Sequence, residues 1–228
     1  MSAAIPITFP NGLPSGLLSD MDGLLLDTEH LSLLVFNEMA ETYAISDGDE
    51  IFPQLIGRNK TAHQEIFARD LPSGIDPIAF DEEWKSRFLE RLENGVPVKD
   101  GVPAFLTQCQ ELGIPMMVVT STQTAKAEML LERAGLLSFF KGVIGGDQVR
   151  ISKPHPEIYQ RGAAALSYAP SACLALEDSN NGALSAYDAG AQVIQIPDLA
   201  PASADILALG IPQLKKITDI SAYLGWPA

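Results

Sequence analysis

Residues 16–29 read GLLSDMDGLLLDTE. A short apolar run, Gly16 to Leu18, leads into two aspartates, Asp20 and Asp22, that are separated by one residue. Adjacent side chains of an extended segment point to opposite faces, whereas the i, i+2 spacing lets both carboxylates reach one pocket. An Asp-Gly turn after a strand accounts for Gly23 but not for the second aspartate. The stretch therefore predicts a buried strand that delivers two carboxylates to one site.

Further short apolar runs end in small, polar or acidic residues, and helix-like segments separate them. This alternation predicts a parallel sheet covered by helices, in a doubly wound α/β fold. Ligands of such sheets bind beyond the carboxyl ends of the strands, where the polar residues of this chain are found. The runs are Met116 to Val119, Val143 with Ile144, Leu174 to Leu176, and Val193 to Ile196.

The pattern of apolar and charged residues changes between His30 and about Val96. Apolar residues recur there at helical spacing with charges between them, without the valine and isoleucine runs typical of buried strands. Asn94-Gly95-Val96-Pro97 closes this stretch with residues that suit a hinge. We therefore predict a helical domain at residues 31–96, inserted into a catalytic core made of residues 1–30 and 97–228.

The composition is that of a globular protein with an acidic surface. Apolar residues make up 46% of the chain, and 29 acidic against 15 basic residues give a formal charge of −14. This charge repels nucleic acid and anionic lipid, so neither is expected as a partner. Cys109 and Cys173 lie in apolar segments, which favours a reducing compartment over a disulfide framework. Because no stretch of about 20 apolar residues occurs, we expect a soluble, cytoplasmic protein.

Asp20 and Asp22 together suit phosphoryl transfer. A carboxylate can attack phosphorus if a cation neutralises the charge between them, and the covalent intermediate splits hydrolysis into two easier steps. A neighbouring carboxyl group can give a proton to the leaving oxygen and later take one from water. We assign the nucleophilic role to Asp20 and the acid–base role to Asp22.

Thr120 and Ser121 follow the second apolar run and precede a helix-like segment from about Thr122 to Ala134. A hydroxyl at this place can cap the helix, and backbone amides at a helix amino end bind anions. The two roles are compatible. We expect both at this strand end.

A lysine and a pair of acids complete the set of polar candidates. Lys153 precedes Pro154, which restricts it to an extended backbone and favours a directed side chain over a solvated one. Such a lysine offsets carboxylate repulsion and holds a transferring phosphoryl group. Glu177 and Asp178 end the fourth run, where acids can cap a helix or bind Mg²⁺ through hard oxygen ligands.

These four segments, in this order, resemble the motifs of the haloacid dehalogenase superfamily, in particular its sugar-phosphate phosphatases and β-phosphoglucomutase. The resemblance implies a Rossmann-like core with a small helical cap domain, and an aspartyl-phosphate formed on Asp20. It also implies that Thr120, Ser121 and Lys153 bind the phosphoryl group. The metal ligands that it implies for Mg²⁺ are Asp20, the backbone carbonyl of Asp22, Asp178, and Glu177 either directly or through water.

The resemblance further implies that the insert is a mobile lid that excludes water and reads the leaving group. Gly57-Arg58-Asn59-Lys60 is its most polar turn and is similar to a cap segment of sugar-phosphate members. Arg58 and Lys60 are therefore candidate substrate-binding residues, with an exposed basic loop as the equal alternative. Trp84 lies at helical spacing with Phe80 and Phe88, which predicts packing in the interior of the insert.

We expect an enzyme that hydrolyses a small phosphorylated metabolite, such as a sugar phosphate, and that is a monomer or a weak homo-oligomer. A phosphomutase of the β-phosphoglucomutase type is the nearest alternative, and the resemblance associates it with a histidine after Asp-Thr-Glu. Ser32 stands at the corresponding position, with His30 two residues earlier, which favours hydrolysis. A haloacid dehalogenase needs neither Mg²⁺ nor the Asp22 carboxyl. A non-catalytic binding module would be expected to lack one of Asp20, Asp22, Lys153 and Asp178, all of which are present.

Overall fold

The computed structural model describes residues 6–56 and 60–227, without the side chain of Lys60. The chain divides into two compact units. One comprises the residues up to Leu26 together with those from Val98 onward, and we call it the core unit. The other is Asp27–Pro97, which we call the cap unit.

A five-stranded parallel sheet lies at the centre of the core unit, in the order β3-β2-β1-β4-β5. Leu17 in β1 pairs with Met116 on one side and with Leu174 on the other. Strands β2 and β3 lie on one side of β1, and β4 and β5 lie on the other. This is the doubly wound arrangement, so the predicted fold class is confirmed. The strands are β1 (Gly16–Ser19), β2 (Met116–Val119), β3 (Val143–Ile144), β4 (Cys173–Glu177) and β5 (Gln192–Gln195).

Four helices form the described part of the cap unit around an aromatic cluster. The ring of Phe36 lies 5.4 to 6.0 Å from those of Phe52, Phe80 and Trp84. Trp84 and Phe80 are buried, which confirms their predicted packing in the interior. The helices are α1 (Thr28–Thr42), α2 (Gly48–Leu55), α3 (Lys60–Asp70) and α4 (Pro77–Glu93).

Helices flank the sheet of the core unit and cover its apolar side chains. One of them, Glu157–Ala165, packs on β1, β2 and β3, while Asn180–Asp188 packs on β4 and β5. Within residues 6–56 and 60–227, no helix combines the length and the apolar character needed to cross a bilayer. The core helices are α5 (Val102–Glu111), α6 (Thr124–Arg133), α7 (Glu157–Ala165), α8 (Asn180–Asp188), α9 (Ala204–Ala208) and α10 (Asp219–Leu224).

Candidate active site

The carboxyl ends of β1, β2 and β4 bring the predicted polar residues of the core unit together. Asp20 directly follows β1, and its backbone N–H donates to the carbonyl of Leu176 in the neighbouring strand β4 (3.0 Å). Thr120 directly follows β2, and Glu177 is the last residue of β4. Because neighbouring parallel strands end at one edge, side chains far apart in sequence meet there.

Lys153 links the ends of three strands, β1, β2 and β4. Its ammonium group donates to Asp20 Oδ1 (2.6 Å), to Glu177 Oε1 (2.5 Å) and to the carbonyl oxygen of Val119 (3.1 Å). These contacts use all three of its donors, and the side chain is only 6% exposed. Burial opposes the positive charge, but Asp20 and Glu177 outweigh it and raise the Lys153 pKa.

The carboxyl group of Asp20 lacks sufficient positive charge around it. Burial raises the pKa of Asp20 to about 8, the nearby Glu177 and Asp22 add to the shift, and Lys153 only partly offsets it. Lys153 therefore offsets only part of the cost of burying this carboxylate. A divalent cation beside it would supply the missing charge.

Glu177 is fully buried and completely hydrogen-bonded. Its Oε1 accepts from Lys153 and from the Tyr159 hydroxyl (2.7 Å), and its Oε2 accepts from the Ser179 N–H (3.2 Å) and hydroxyl (3.0 Å). Burial and the charge of Glu177 hold the pKa of Tyr159 well above its usual value, so this hydroxyl keeps the proton that it donates.

Asp22 is held by the strand end of β2. Its Oδ2 accepts from the hydroxyl of Thr122 (2.9 Å), and the hydroxyl of Thr120 lies 3.4 Å from the same oxygen. Thr120 in turn accepts from the backbone N–H of Thr122 (3.1 Å), which fixes the turn. Thr120 is a predicted site residue, whereas no role was predicted for Thr122, because neither periodicity nor spacing distinguishes it from an ordinary residue before a helix.

Three carboxylates form a group that could hold a metal ion. Oxygen atoms of Asp20, Glu177 and Asp178 lie within 4.8 Å of one another, and all three residues are buried. A Cβ atom placed on Gly23 would lie 2.5 Å from Asp178 Oδ2, so a glycine there makes room for this carboxylate. Hard oxygen donors and an excess of negative charge fit Mg²⁺ well.

The remaining predicted site residues are Ser121, Arg58 and Lys60. Ser121 is exposed and lies before α6, which begins at Thr124 rather than at about Thr122. Its backbone N–H therefore does not belong to the first turn of that helix. Arg58 lies outside the described residues, and Lys60 is described only as the backbone residue that begins α3.

Gly182 provides a direct test of how tightly Glu177 is held. A Cβ atom at this position in α8 would lie 1.8 Å from Glu177 Oε1, so Gly182→Ala must displace the carboxylate from its partners. We expect the free energy of unfolding to fall by about 2–4 kcal/mol, from overpacking and lost hydrogen bonds. Urea denaturation measures this. Ala164→Gly, at an exposed site of α7, gives the size of an ordinary helix-propensity effect; a Gly182→Ala protein as stable as wild type would contradict the packing.

Comparison with known proteins bears on the identity of this site. A sequence profile described as haloacid dehalogenase-like hydrolase matches residues 17–196, which contain all the strand ends described above. The chain belongs to this family. The predicted superfamily membership is thereby confirmed.

Members of the haloacid dehalogenase-like family with named activities are similar to most of the chain. Hexitol phosphatase B of Escherichia coli K12 is 28% identical over 206 residues, covering 89% of this chain and 92% of the relative. A phosphorylated carbohydrates phosphatase of Thermotoga maritima is 29% identical over 179 residues, covering 77% and 81%. The predicted enzyme class, a phosphoric monoester hydrolase of this family, is confirmed at that level.

A solved structure agrees with the fold. A haloacid dehalogenase family hydrolase from Deinococcus radiodurans, with bound phosphate and sodium, superposes with a TM-score of 0.80. The match covers 92% of this chain and 95% of the other at 23% sequence identity. At this identity the likeness concerns the fold alone.

Proposed function

We propose that the protein is a Mg²⁺-dependent phosphatase that hydrolyses small phosphate monoesters through an aspartyl-phosphate on Asp20. One observation carries the proposal: a buried lysine binds Asp20 beside further carboxylates at the carboxyl ends of the strands. A purely structural cluster would gain little from such an arrangement, because buried charges are costly to keep. Perturbed ionisable groups of this kind are typical of catalytic sites.

Asp20 and Asp178 are the side chains proposed to hold Mg²⁺, together with the backbone carbonyl of Asp22. When bound, the ion would neutralise the repulsion between the Asp20 carboxylate and the phosphoryl oxygens. Lys153 would share this task, because its ammonium group lies 2.6 Å from Asp20 Oδ1. The hydroxyl of Thr120 is proposed to bind a phosphoryl oxygen.

In the first step, the carboxylate of Asp20 attacks phosphorus and forms a new P–O bond. The bond between phosphorus and the ester oxygen breaks, and the leaving oxygen takes a proton from Asp22. Thr122 holds Asp22 by a 2.9 Å hydrogen bond, which orients the carboxyl group for this transfer. The first product is an alcohol, and the phosphoryl group remains on Asp20.

A water molecule reverses the roles in the second step. It attacks phosphorus while Asp22, now ionised, takes its proton. The bond between phosphorus and the Asp20 oxygen breaks, which releases phosphate and restores the carboxylate. Asp22 thus ends protonated, ready for the next substrate.

The cap unit could itself accept a hydroxyl-rich organic group. A pocket of about 230 Å³ lies within this unit, lined by Ser32, His63, Asp81, Trp84, Lys85 and Phe88. His63 Nε2 lies 3.0 Å from the carbonyl oxygen of Leu55, which can only accept, so Nε2 carries a proton. Its Nδ1 lies 3.6 Å from Asp81 Oδ1, too far apart for a direct hydrogen bond. A hydroxyl group of a sugar or a polyol could donate to this carboxylate oxygen.

Asp81→Asn is expected to reduce activity only toward substrates that carry hydroxyl groups. We expect kcat/KM to fall at least about 10-fold with hexose phosphates, because one carboxylate hydrogen bond is lost. With p-nitrophenyl phosphate it should stay within about 2-fold of wild type. Glu90→Gln, at an exposed site of the same helix, is the matched control. An equal loss with both substrates would contradict this role.

A screen for released phosphate tests the proposed function itself. Purified protein with Mg²⁺ is offered about a hundred phosphorylated metabolites, and we expect phosphate release from several sugar phosphates. Glucose 1-phosphate and glucose 6-phosphate are also analysed for interconversion. Phosphate release without interconversion supports the phosphatase, interconversion without release favours the phosphomutase, and inactivity throughout the screen would count against both.

A further inference from the structure

The carboxylate of Glu177 accepts hydrogen bonds at both of its oxygens. A carboxylate offers about four lone-pair positions to donors. Lys153 and Tyr159 occupy those of Oε1, at 2.5 and 2.7 Å, and Ser179 occupies those of Oε2 through its N–H and its hydroxyl. A metal ion could bind directly only by displacing one of these donors.

Displacement of a donor from Glu177 is costly. Glu177 and Tyr159 are both 0% exposed, so the Tyr159 hydroxyl would have no water to turn to if it lost this acceptor. Gly182 leaves no free space behind the carboxylate, since even a methyl group there would overlap it. Packing against Gly182 therefore holds Glu177 in place in addition to its hydrogen bonds.

The hydroxyl group of Tyr159 is not needed for packing of the core. Its side chain is fully buried in the apolar core beside Val119 and Ile158, where phenylalanine would fit without a polar atom to satisfy. The hydroxyl instead binds Glu177, and the Lys153 ammonium lies 5.1 Å from the centre of the Tyr159 ring. Tyr159 thus contacts both members of the Lys153–Glu177 ion pair.

We propose that Glu177 anchors Lys153 and is not a direct metal ligand, and that Tyr159 is the positioning residue that holds this anchor. The Tyr159 hydroxyl orients Oε1 of Glu177 toward the ammonium group. The ammonium group is thereby kept 2.6 Å from Asp20 Oδ1. The kinetic part of this inference rests on the proposed phosphatase function, whereas the metal-binding part does not.

Calorimetric titration of the EDTA-treated protein with Mn²⁺ tests the assignment of Glu177. We expect Asp178→Asn to weaken binding at least about 50-fold, because it removes a direct ligand and even an outer-shell partner is worth about 10–100-fold in metal affinity. Glu177→Gln should weaken it clearly less than Asp178→Asn does, because it removes a nearby charge but no ligand. Equal weakening in the two variants would overturn the assignment. Thermal unfolding of each variant shows whether it is folded.

Tyr159→Phe tests the positioning role, because it removes one oxygen and keeps the ring. We expect kcat to fall about 10-fold while KM and Mn²⁺ affinity stay within about 2-fold, as expected when a transition-state contact is lost. The ¹⁵N signal of the Lys153 ammonium group should also shift, which requires no activity. Tyr168→Phe, at an exposed tyrosine, is the control and should change none of these quantities.

The outcomes separate the inference from the proposed function. Unchanged kcat and an unchanged Lys153 signal in Tyr159→Phe would overturn the positioning role. An inactive wild-type protein would count against the phosphatase, while the Mn²⁺ titrations and the ammonium signal would still decide the roles of Glu177 and Tyr159.

Discussion

Asp20→Asn is expected to reduce phosphate release by at least about 10⁴-fold, which is typical for loss of a covalent nucleophile. The amide has nearly the same shape as the carboxyl group, but it is a much weaker nucleophile and cannot form a stable acyl phosphate. Steady-state measurements on the best substrate of the screen give the effect on kcat. Asp188→Asn, at an exposed carboxylate at the end of α8, is the control and should keep full activity.

The same substitution should not destabilise the metal-free protein. Burial raises the pKa of Asp20 to about 8, which means that its charged form is unfavourable in the folded state. An acid whose pKa is raised on folding loses stability as the pH rises from its unfolded value of about 4 toward its folded value. At pH 8, Asp20→Asn should therefore unfold at the same temperature as wild type or a few degrees higher. A large fall in the unfolding temperature would mean that lost activity reflects lost structure.

Removal of divalent cations is the second change with a very large expected effect. EDTA should lower activity at least about 10³-fold, because Lys153 alone does not offset the charge of the carboxylate cluster and the phosphoryl group. Addition of excess Mg²⁺ should restore it. The measurement is phosphate release in metal-free buffer, followed by titration with MgCl₂.

Asp178→Asn links this metal requirement to the proposed site. It should raise the Mg²⁺ concentration needed for half-maximal activity at least about 10-fold, because loss of even an outer-shell partner typically costs about 10–100-fold in metal affinity. Glu157→Gln, a carboxylate outside the cluster that pairs with Arg161, should leave that concentration unchanged. Full activity of the wild-type protein in metal-free buffer would contradict the proposed chemistry.

Much of the fold was predictable because its strands are buried on both faces. Such strands read as short apolar runs, and the predicted run Met116 to Val119 coincides with β2. The ends of the helices were less predictable. Helix α6 begins at Thr124, two residues after the predicted start, because the hydroxyl of Thr120 and the N–H of Thr122 form a turn before it.

The candidate site was predictable where it lies at strand ends. Asp20, Thr120 and Glu177 follow from the apolar runs before them, and Lys153 from the proline that follows it. Tyr159 and Gly182 could not be found in this way. Both residues contact the Glu177 carboxylate because α7 and α8 pack against the sheet. No local sequence pattern predicts a contact of this kind.

Cap residues remain the least predictable part of the chain. His63 and Asp81 belong to different helices, and their approach to 3.6 Å depends on how α3 packs against α4. Each residue alone looks like an ordinary polar position on a helix. Arg58 and Lys60 stay predictions.

Trapping of the covalent intermediate is the most direct test of the central claim. The protein is mixed with Mg²⁺ and a ³²P-labelled, readily cleaved phosphate donor, and the reaction is quenched with acid during turnover. We predict an acid-stable label that hydroxylamine removes, that maps to the peptide containing Asp20, and that is absent from Asp20→Asn. Turnover without any such label on the protein, under conditions that trap acyl phosphates, would contradict the account.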